Sequence, residues 1–403
     1  MYPLLGKREI GPDAVPTLSL PALLLQFLRI GAIGFGGGMA IIALMERDLI
    51  QKRRVLEPEE FLHGVGLGQV LGPFGVNAAL FIGNRLYGTL GGLACAFVFM
   101  APSVVLVILL SWLYFSFHAI PALQKAMGGL GPVVIALIIS AAWSMGRKAL
   151  RSWPAVLIAG LTLGLSLLKI NAVYVLLAAG LTGLLAGKGI SKGSWHRKPP
   201  DRNKPPMTGP GPSTTAAMVL FPTTGAMSGG MSLTFLGWTF LKIGCIFFGG
   251  GFVLVPILHQ KFVETLGWLT PREFLDGVAI SNLTPGPISV LATFAGFHIY
   301  GVSGALVATL ALFTPSLILM TILSHGYGRM KKEQRFQNFM AGVTPAVVGL
   351  VVSASVLLAP GAFHDIAGWG LTVVALLLLI RFQWHPAGVL AIGAILGIVG
   401  IVR

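Results

Sequence analysis

Phe27–Gly38 reads FLRIGAIGFGGG, and Phe240–Gly251 reads FLKIGCIFFGGG, displaced by 213 residues. Each copy is an apolar helix that carries one cation, Arg29 or Lys242, and runs into three consecutive glycines. A charge at the centre of a bilayer costs about 2.5–3.5 kcal/mol on insertion scales, and each glycine gives up about 1 kcal/mol of helix propensity. A chain that carries both features twice has a use for them. Each copy reads as half of a site for an anion.

The surrounding composition is that of a polytopic membrane protein. Of 403 residues, 55% are hydrophobic and only 10% charged, whereas a soluble domain is about one quarter charged. The N-terminal residues 1–17 show no cleavable signal pattern, so the first apolar segment is expected to stay and insert. The net charge of +15 sits in short loops between apolar segments. That pattern fits cytoplasmic loops rich in Lys and Arg and argues against nucleic-acid binding. Cys95 and Cys245 both lie in apolar stretches and form neither a CxxC nor a metal-ligand spacing.

The duplication extends well beyond the opening stretch. Leu56, Pro58, Glu60, Phe61, Leu62, Gly64 and Val65 recur as Leu269, Pro271, Glu273, Phe274, Leu275, Gly277 and Val278. Tyr87-Gly88 recurs as Tyr300-Gly301, Pro102-Ser103 as Pro315-Ser316, and Pro132 as Pro345, always at the same offset. The expected organisation is a first transporter repeat (residues 1–187), a basic Pro/Gly-rich linker (188–231) and a second repeat (232–403). The linker holds six cations against one acid, Asp201, and reads as a solvated loop.

The second apolar segment of each half sets the topology. Leu62–Gly83 is rich in glycine around Gly72-Pro73, and Leu275–Gly296 contains Asn282-Leu-Thr284-Pro285-Gly286-Pro287. Proline removes a backbone donor and disfavours helix in the residue before it. Broken backbone at membrane depth is tolerated only inside protein or beside a wet cavity. Both segments therefore read as re-entrant hairpins, entering and leaving on one side. With Leu20–Met45 as a full crossing, that reading puts Arg53, Arg54, Arg85, Arg147, Lys148, Arg151 and Arg381 in the cytoplasm and leaves Lys125, Lys169, Lys261 and Arg272 outside. It also leaves Lys7 and Arg8 outside, against the charge rule. About five transmembrane helices per half is an odd number, so the second half enters upside down. The expected fold is an all-α membrane protein of two inverted repeats, with its site between them.

The candidate substrate-binding residues follow. Arg29 would offer a bidentate fork and Lys242 a point charge, together suiting a divalent oxyanion; the alternative is that each snorkels to an interface. Gly36, Gly37 and Gly38, with Gly249, Gly250 and Gly251, would expose backbone N–H groups to an anion, or else allow close helix packing. Gln69, Asn77, Asn282, Thr284, Pro285, Gly286 and Pro287 line the hairpin tips, beside Ser289, as polar ligands or as self-satisfied kinks. The thirteen acids lie at segment ends or in loops; Glu46, Glu60, Glu273 and Asp276, the nearest to the membrane, read as solvated, which gives little support to a proton relay on a buried carboxylate. The histidines form no metal set, and no nucleophile–base constellation is visible.

The FGGG stretches, the MERDLIQKRRVLEPEEFLHGVGLGQ that follows the first, and the NLTPGPIS of the second half resemble the chromate ion transporter family, in its long form with two homologous halves. The resemblance covers nearly all of the chain. It implies a bacterial or archaeal inner-membrane carrier that exports chromate, with sulfate as the related oxyanion. It carries the family's FGG motif onto Phe35–Gly37 and Phe248–Gly250, and its PGP motif onto Pro285–Pro287. The chain departs from the pattern where Gly38 replaces a proline, where Ile41-Ile42 stand in place of a nearby histidine, and where the first-half PGP is reduced to Gly72-Pro73-Phe74.

The leading reading is a secondary transporter of a tetrahedral oxyanion, driven by an ion gradient, by exchange or by a partner, since no GxxxxGK[ST] motif is present. An anion channel of the same architecture is the first alternative, and a membrane enzyme or lipid flippase the second. The partners expected are an inorganic oxyanion and the lipid bilayer, without nucleic acid, cofactor or metal; a homodimer is compatible with this reading.

Overall fold

The computed structural model describes residues 18–35, 37–117, 120–186, 232–247, 251–324, 334–363 and 365–402. Among them the chain is helical and contains no strand. The first half comprises α1 (Leu20–Ile33), α2 (Gly37–Met45, continued by a π-helical turn Glu46–Gln51), α3 (Pro58–Val70), α4 (Phe74–Phe117), α5 (Pro121–Ala149), α6 (Trp153–Leu167) and α7 (Ala172–Ala186). The second half comprises α8 (Leu233–Ile246), a 3₁₀ turn (Gly251–Val253) leading into α9 (Leu254–Leu258) and a π-helical segment (His259–Thr265), then α10 (Pro271–Leu283), a 3₁₀ turn (Ile288–Val290), α11 (Leu291–Ser324), α12 (Gln334–Ala362), α13 (Ile366–Ile380) and α14 (Pro386–Val399). The 213-residue offset carries α1, α3, α5 and α6 onto α8, α10, α12 and α13 end for end. The linker expected at 188–231 lies outside the described residues.

Local chemistry sets these boundaries. Prolines open α3, α5, α6, α10 and α14, where a missing N–H costs nothing. Thr270 and Glu273 close a reciprocal capping box at the start of α10. Both long helices bend at the repeated Tyr-Gly pair, with Gly88 at φ 70° and Gly301 at φ 58°. These bends separate the short leg that leaves each hairpin turn from the longer apolar leg beyond it.

Two helices in each half are long and apolar enough to span a bilayer: α4 and α5, then α11 and α12. The remaining apolar helices, α1, α6 and α7 with α8, α13 and α14, have 14 or 15 residues. At 1.5 Å per residue they are about 22 Å long, against a hydrocarbon core of about 30 Å. The expected five full-length helices per half are thus two long and three short. Leu20–Met45, expected as one crossing, is two helices, because Gly34 leaves helical geometry at φ −77°, ψ 65°.

The two halves interlock. α1 lies on α4 and α8 on α11, while α4 packs on α11. α6 and α7 pack on α12 of the other half, and α13 and α14 pack on α5. Small residues make these approaches, as expected where lipid removes the hydrophobic drive between helices. A Cβ on Gly31 would fall within 3.0 Å of the Phe99 carbonyl oxygen, and one on its counterpart Gly244 within 3.0 Å of the Leu312 carbonyl oxygen. Fully buried Phe27, Phe99, Phe240 and Phe313 fill the spaces between these contacts. Leu90, Leu185, Ile366 and Trp153 are among many large apolar side chains left exposed, an outer surface fit for lipid.

Polar contacts collect at two opposite ends of this bundle. At one, Tyr87 donates to the Leu18 carbonyl, Arg85 pairs with Glu60, and Asn84 Nδ2 donates to Ser324 Oγ at 2.6 Å. At the other, Arg272 reaches the Gln124 carbonyl at 3.5 Å, Tyr114 meets Asp276, and Gln260 donates to the carbonyls of Lys169 and Ile170.

Candidate functional site

Four interruptions of helix meet inside the bundle. α1 stops at Gly34 and α8 at Phe247, each where the glycines begin. The first hairpin turns at Leu71–Pro73 and the second at Thr284–Pro287. Each tip docks on the broken helix of the opposite half. The Gly286 N–H donates to the Gly34 carbonyl at 2.9 Å. Gly72 faces Phe247, whose carbonyl oxygen would lie 2.7 Å from a Cβ there. Both turn residues have left-handed backbone, φ 109° at Gly72 and φ 104° at Gly286, so glycine is required for both conformation and approach. The duplicated Pro-Ser pairs secure the tips: Ser103 of α4 donates to the Pro285 carbonyl, and Ser316 of α11 donates to Asn77 Oδ1 at 3.0 Å.

Among the described residues, two buried polar atoms at these tips have no hydrogen-bond partner, Asn77 Nδ2 and Ser289 Oγ. Both residues are fully buried. They sit one position apart in the repeat register, in the first turns that leave each tip; there the Val76 and Asn77 N–H groups donate to the Pro73 carbonyl and that of Val290 to Pro287, while the very first N–H groups of a helix lack an intrahelical partner. An unmet buried polar group costs about 1–3 kcal/mol. Donors held at helix starts suit an anion.

The other tip residues spend their donors at home. Asn282 Nδ2 donates to the Val278 carbonyl at 2.8 Å and Thr284 Oγ1 to the Ser281 carbonyl at 3.0 Å. They shape the tip together with buried Pro285, Gly286 and Pro287. The Gln69 side chain and residues Gly36, Gly249 and Gly250 lie outside the described residues, and Gly37 is the first residue of α2. Gly38 lies under the Phe74 ring and Gly251 against Ile288, each too close for a Cβ; these two serve packing.

Arg29 and Lys242 are not gathered at the tips. Both side chains are exposed on the outer faces of their helices. The register explains it: α1 buries Leu23, Phe27, Ile30 and Gly31, and α8 buries Leu236, Thr239, Phe240, Ile243 and Gly244. Each cation falls off that stripe. Lys242 Nζ stands 5.2 Å over the Trp238 ring, one turn earlier, a cation–π contact that supports a snorkelling side chain.

Positive charge gathers elsewhere. A cavity of about 640 Å³ is lined by Arg147, Lys148 and Arg151 at the end of α5, by Ser140, Trp143 and Ser144, and by Gln383, Trp384 and His385 ahead of α14. Among the described residues its wall holds no acid, and it reaches Ala40 of α2. The His385 ring meets Phe35 edge-on at 5.7 Å, so the cavity borders the first FGGG stretch directly.

Asp276 is not in solvent. It is 4% exposed, on α10, and its Oδ2 accepts from Tyr114 Oη of α4 at 2.7 Å. No group of three or more His, Cys, Asp or Glu capable of holding a metal occurs among the described residues.

The sequence profile described as "Chromate transporter" matches residues 21–184 and 234–398. The chain belongs to the chromate transporter family. A chromate transport protein of Cupriavidus metallidurans is 29% identical over 94% of this chain and 93% of its own length. A protein of Synechococcus elongatus named as a probable chromate transport protein is 29% identical over 90% of both. An uncharacterized transporter of Bacillus subtilis is 25% identical over 38% of this chain and 88% of its own length. No solved structure matches the chain.

As a chromate transporter family member the chain is a multi-pass membrane transporter and not an enzyme. Three of its features escaped reading from sequence. Ser289 was visible beside the second tip, but only packing reveals that its hydroxyl is unpaired. Arg147, Lys148 and Arg151 read as loop charge; their signal is the nearby Ser140, Trp143 and Ser144, which at helical spacing put polar groups on one face. Asp276 read as a segment-end acid, although it lies within the run Phe274–Ser281 that is buried throughout. The duplicated tyrosines, Tyr114 and Tyr327, were the available clue.

Proposed function

We propose that the chain carries a tetrahedral divalent oxyanion, chromate foremost and sulfate as its congener, outward across the cell inner membrane by alternating access between two inverted repeats. The observation that carries this reading is the pair of unpartnered buried donors, Asn77 Nδ2 and Ser289 Oγ, at the tips of hairpins from opposite halves. A tetrahedral anion presents acceptors on every side, so it takes hydrogen bonds from both tips and from the backbone N–H groups of the helix starts. Neutral donors bind it without a buried cation, as half-helix starts do in carriers with broken helices. Arg29 and Lys242 are assigned to the lipid boundary. The basic cavity beside Phe35 serves as the vestibule that draws the anion in from the cytoplasm.

Inversion is supported by the contacts at the two ends. α3 starts beside Arg85 and the bend of α4, whereas α10 starts beside Gln124 at the far end of α4. The Tyr87–Leu18 bond puts the start of α1 at the same end as Arg85. α1 and α2 then form a second re-entrant pair rather than a crossing, so inversion rests on these contacts between the ends and no longer on an odd number of crossings. The names of the relatives from Cupriavidus and Synechococcus favour chromate as the anion.

The test is uptake of labelled sulfate into proteoliposomes, with chromate, molybdate and phosphate as competitors. Saturable uptake that chromate blocks and internal sulfate stimulates is the expected result. Non-saturating flux would identify a channel. Asn77→Ala and Ser289→Ala should each raise the half-saturating concentration roughly tenfold, the worth of a hydrogen bond to a charged group. Unchanged affinity in both variants would remove the site.

A further inference from the structure

The carboxylate of Asp276 has no part in the proposed anion site, and an acid would repel the substrate. It is nevertheless nearly inaccessible, at 4% exposure. Among the described residues it makes no ion pair, and its recorded hydrogen bond is the one from Tyr114. Burying an ionised carboxylate against one neutral donor is expensive, and such groups hold a proton instead. The pair also bridges the two halves. Tyr114 stands near the end of the crossing leg of α4, in the first half, and Asp276 on the first leg of the second hairpin.

We propose that Asp276, with Tyr114, is a proton-binding site that couples proton movement to the alternation of the two halves; this rests on the carrier reading above. In the arrangement described here the site is closed and Asp276 is protonated. Separation of α4 from α10 opens it to water, where the carboxyl ionises and releases its proton. Protonation is thereby tied to one conformation, which is the linkage that coupling needs. The location fits: this end of the bundle carries Lys125, Lys169, Lys261 and Arg272, assigned above to the outer face.

The titratable and charged groups on the elements around Asp276 are few. On α10 itself they are Arg272 and Glu273, and on α4 Tyr114. α11 contributes His298, which lies against the Phe115 ring at 4.7 Å, and the first turn of α5 contributes Lys125. The π-helical segment contributes Lys261 and the His259–Glu264 pair, 3.8 Å apart. The repeat puts His63 in the place of Asp276 and Tyr327 in that of Tyr114. The repeat-related positions thus hold a titratable residue in the first half and a tyrosine in the second, although the chemistry differs.

The experiment uses full-length protein in proteoliposomes loaded with a pH-sensitive dye, comparing wild type, Asp276→Asn and Tyr114→Phe. Two fluxes are read: sulfate–sulfate exchange without a pH gradient, and net sulfate uptake with one. Wild type should show net uptake stimulated by the gradient and a matching dye signal. Asp276→Asn should keep exchange within about twofold and lose gradient stimulation and dye signal by at least tenfold. Tyr114→Phe removes the donor that favours the ionised form, so its pH profile should move to higher pH. Infrared titration of the detergent-solubilised protein should show a protonated-carboxyl band that Asp276→Asn lacks. Gradient stimulation unchanged in Asp276→Asn, or absence of that band, overturns the proposal. Wild type that exchanges sulfate without a pH response overturns it while leaving the carrier standing, and wild type that moves no oxyanion overturns both.

Discussion

Neutralising Arg147 and Lys148 together, as Arg147→Gln with Lys148→Gln, tests whether the basic cavity recruits the substrate. A sphere of 640 Å³ has a radius of about 5 Å, so an anion at its centre stands about 7 Å from each lining charge. At that distance a dianion gains about 1.2 kcal/mol per cation in water before screening. With a Debye length of about 8 Å at physiological ionic strength, about 0.5 kcal/mol per cation survives. Two cations together then amount to about 1 kcal/mol, a fivefold rise in KM. At 10 mM salt the Debye length is about 30 Å, screening nearly vanishes, and the same pair is worth roughly 25-fold. Maximal rate should not change, because the cavity lies ahead of the tips. The assay is initial sulfate uptake against concentration at both salt levels, on protein of unchanged thermal stability. A KM within twofold of wild type at 10 mM salt would refute the reasoning, as would an equal rise at both salt levels.

Arg29→Gln and Lys242→Gln should retain saturable uptake, since both side chains are exposed; loss of uptake in inserted, stable protein would return the cations to the site. Gly31→Leu or Gly244→Leu should abolish folding, read as loss of the monodisperse peak in detergent, because a side chain there meets backbone within 3.0 Å. A cysteine at Ser194 should label from the cytoplasm and one at Thr270, at the start of α10, from outside; same-side labelling would defeat the inverted arrangement. Ser316→Ala frees the Asn77 amide to turn, and should weaken sulfate affinity several-fold without changing maximal rate, measured in the same uptake assay.

Much of this architecture was legible before any coordinates, because duplication acts as an internal alignment. Glycine-rich Gly72-Pro73 and Pro285-Gly286-Pro287 located the hairpins in both halves, and Gly72 and Gly286 lie at the turns as their chemistry requires. The failures share one cause. Arg29 and Lys242 were prominent by type, but their placement depends on a rotation of about 100° per residue around the helix, and the buried stripe passes beside them. Leu20–Met45 had the length of a span, yet the glycines after Ile33 divide it. Asp276 lay near a boundary in sequence, while its burial is supplied by Tyr114, 162 positions away. Whether a donor such as Ser289 is satisfied is a property of its neighbours, so no residue pattern reports it.

The exchange of helices between halves bears on what counts as a folding unit. α6 and α7 cover α12, and α13 and α14 cover α5, so each central helix is clothed by the opposite half. Severing the chain between Ala186 and Leu233 therefore does not release two self-sufficient pieces. Each piece would expose a strip of glycine and alanine that only its counterpart fits, and Gly129 and Gly342 mark those strips. Reassembly from fragments made separately is built into this geometry, and a gene of half the length would have to meet the same requirement with a second polypeptide.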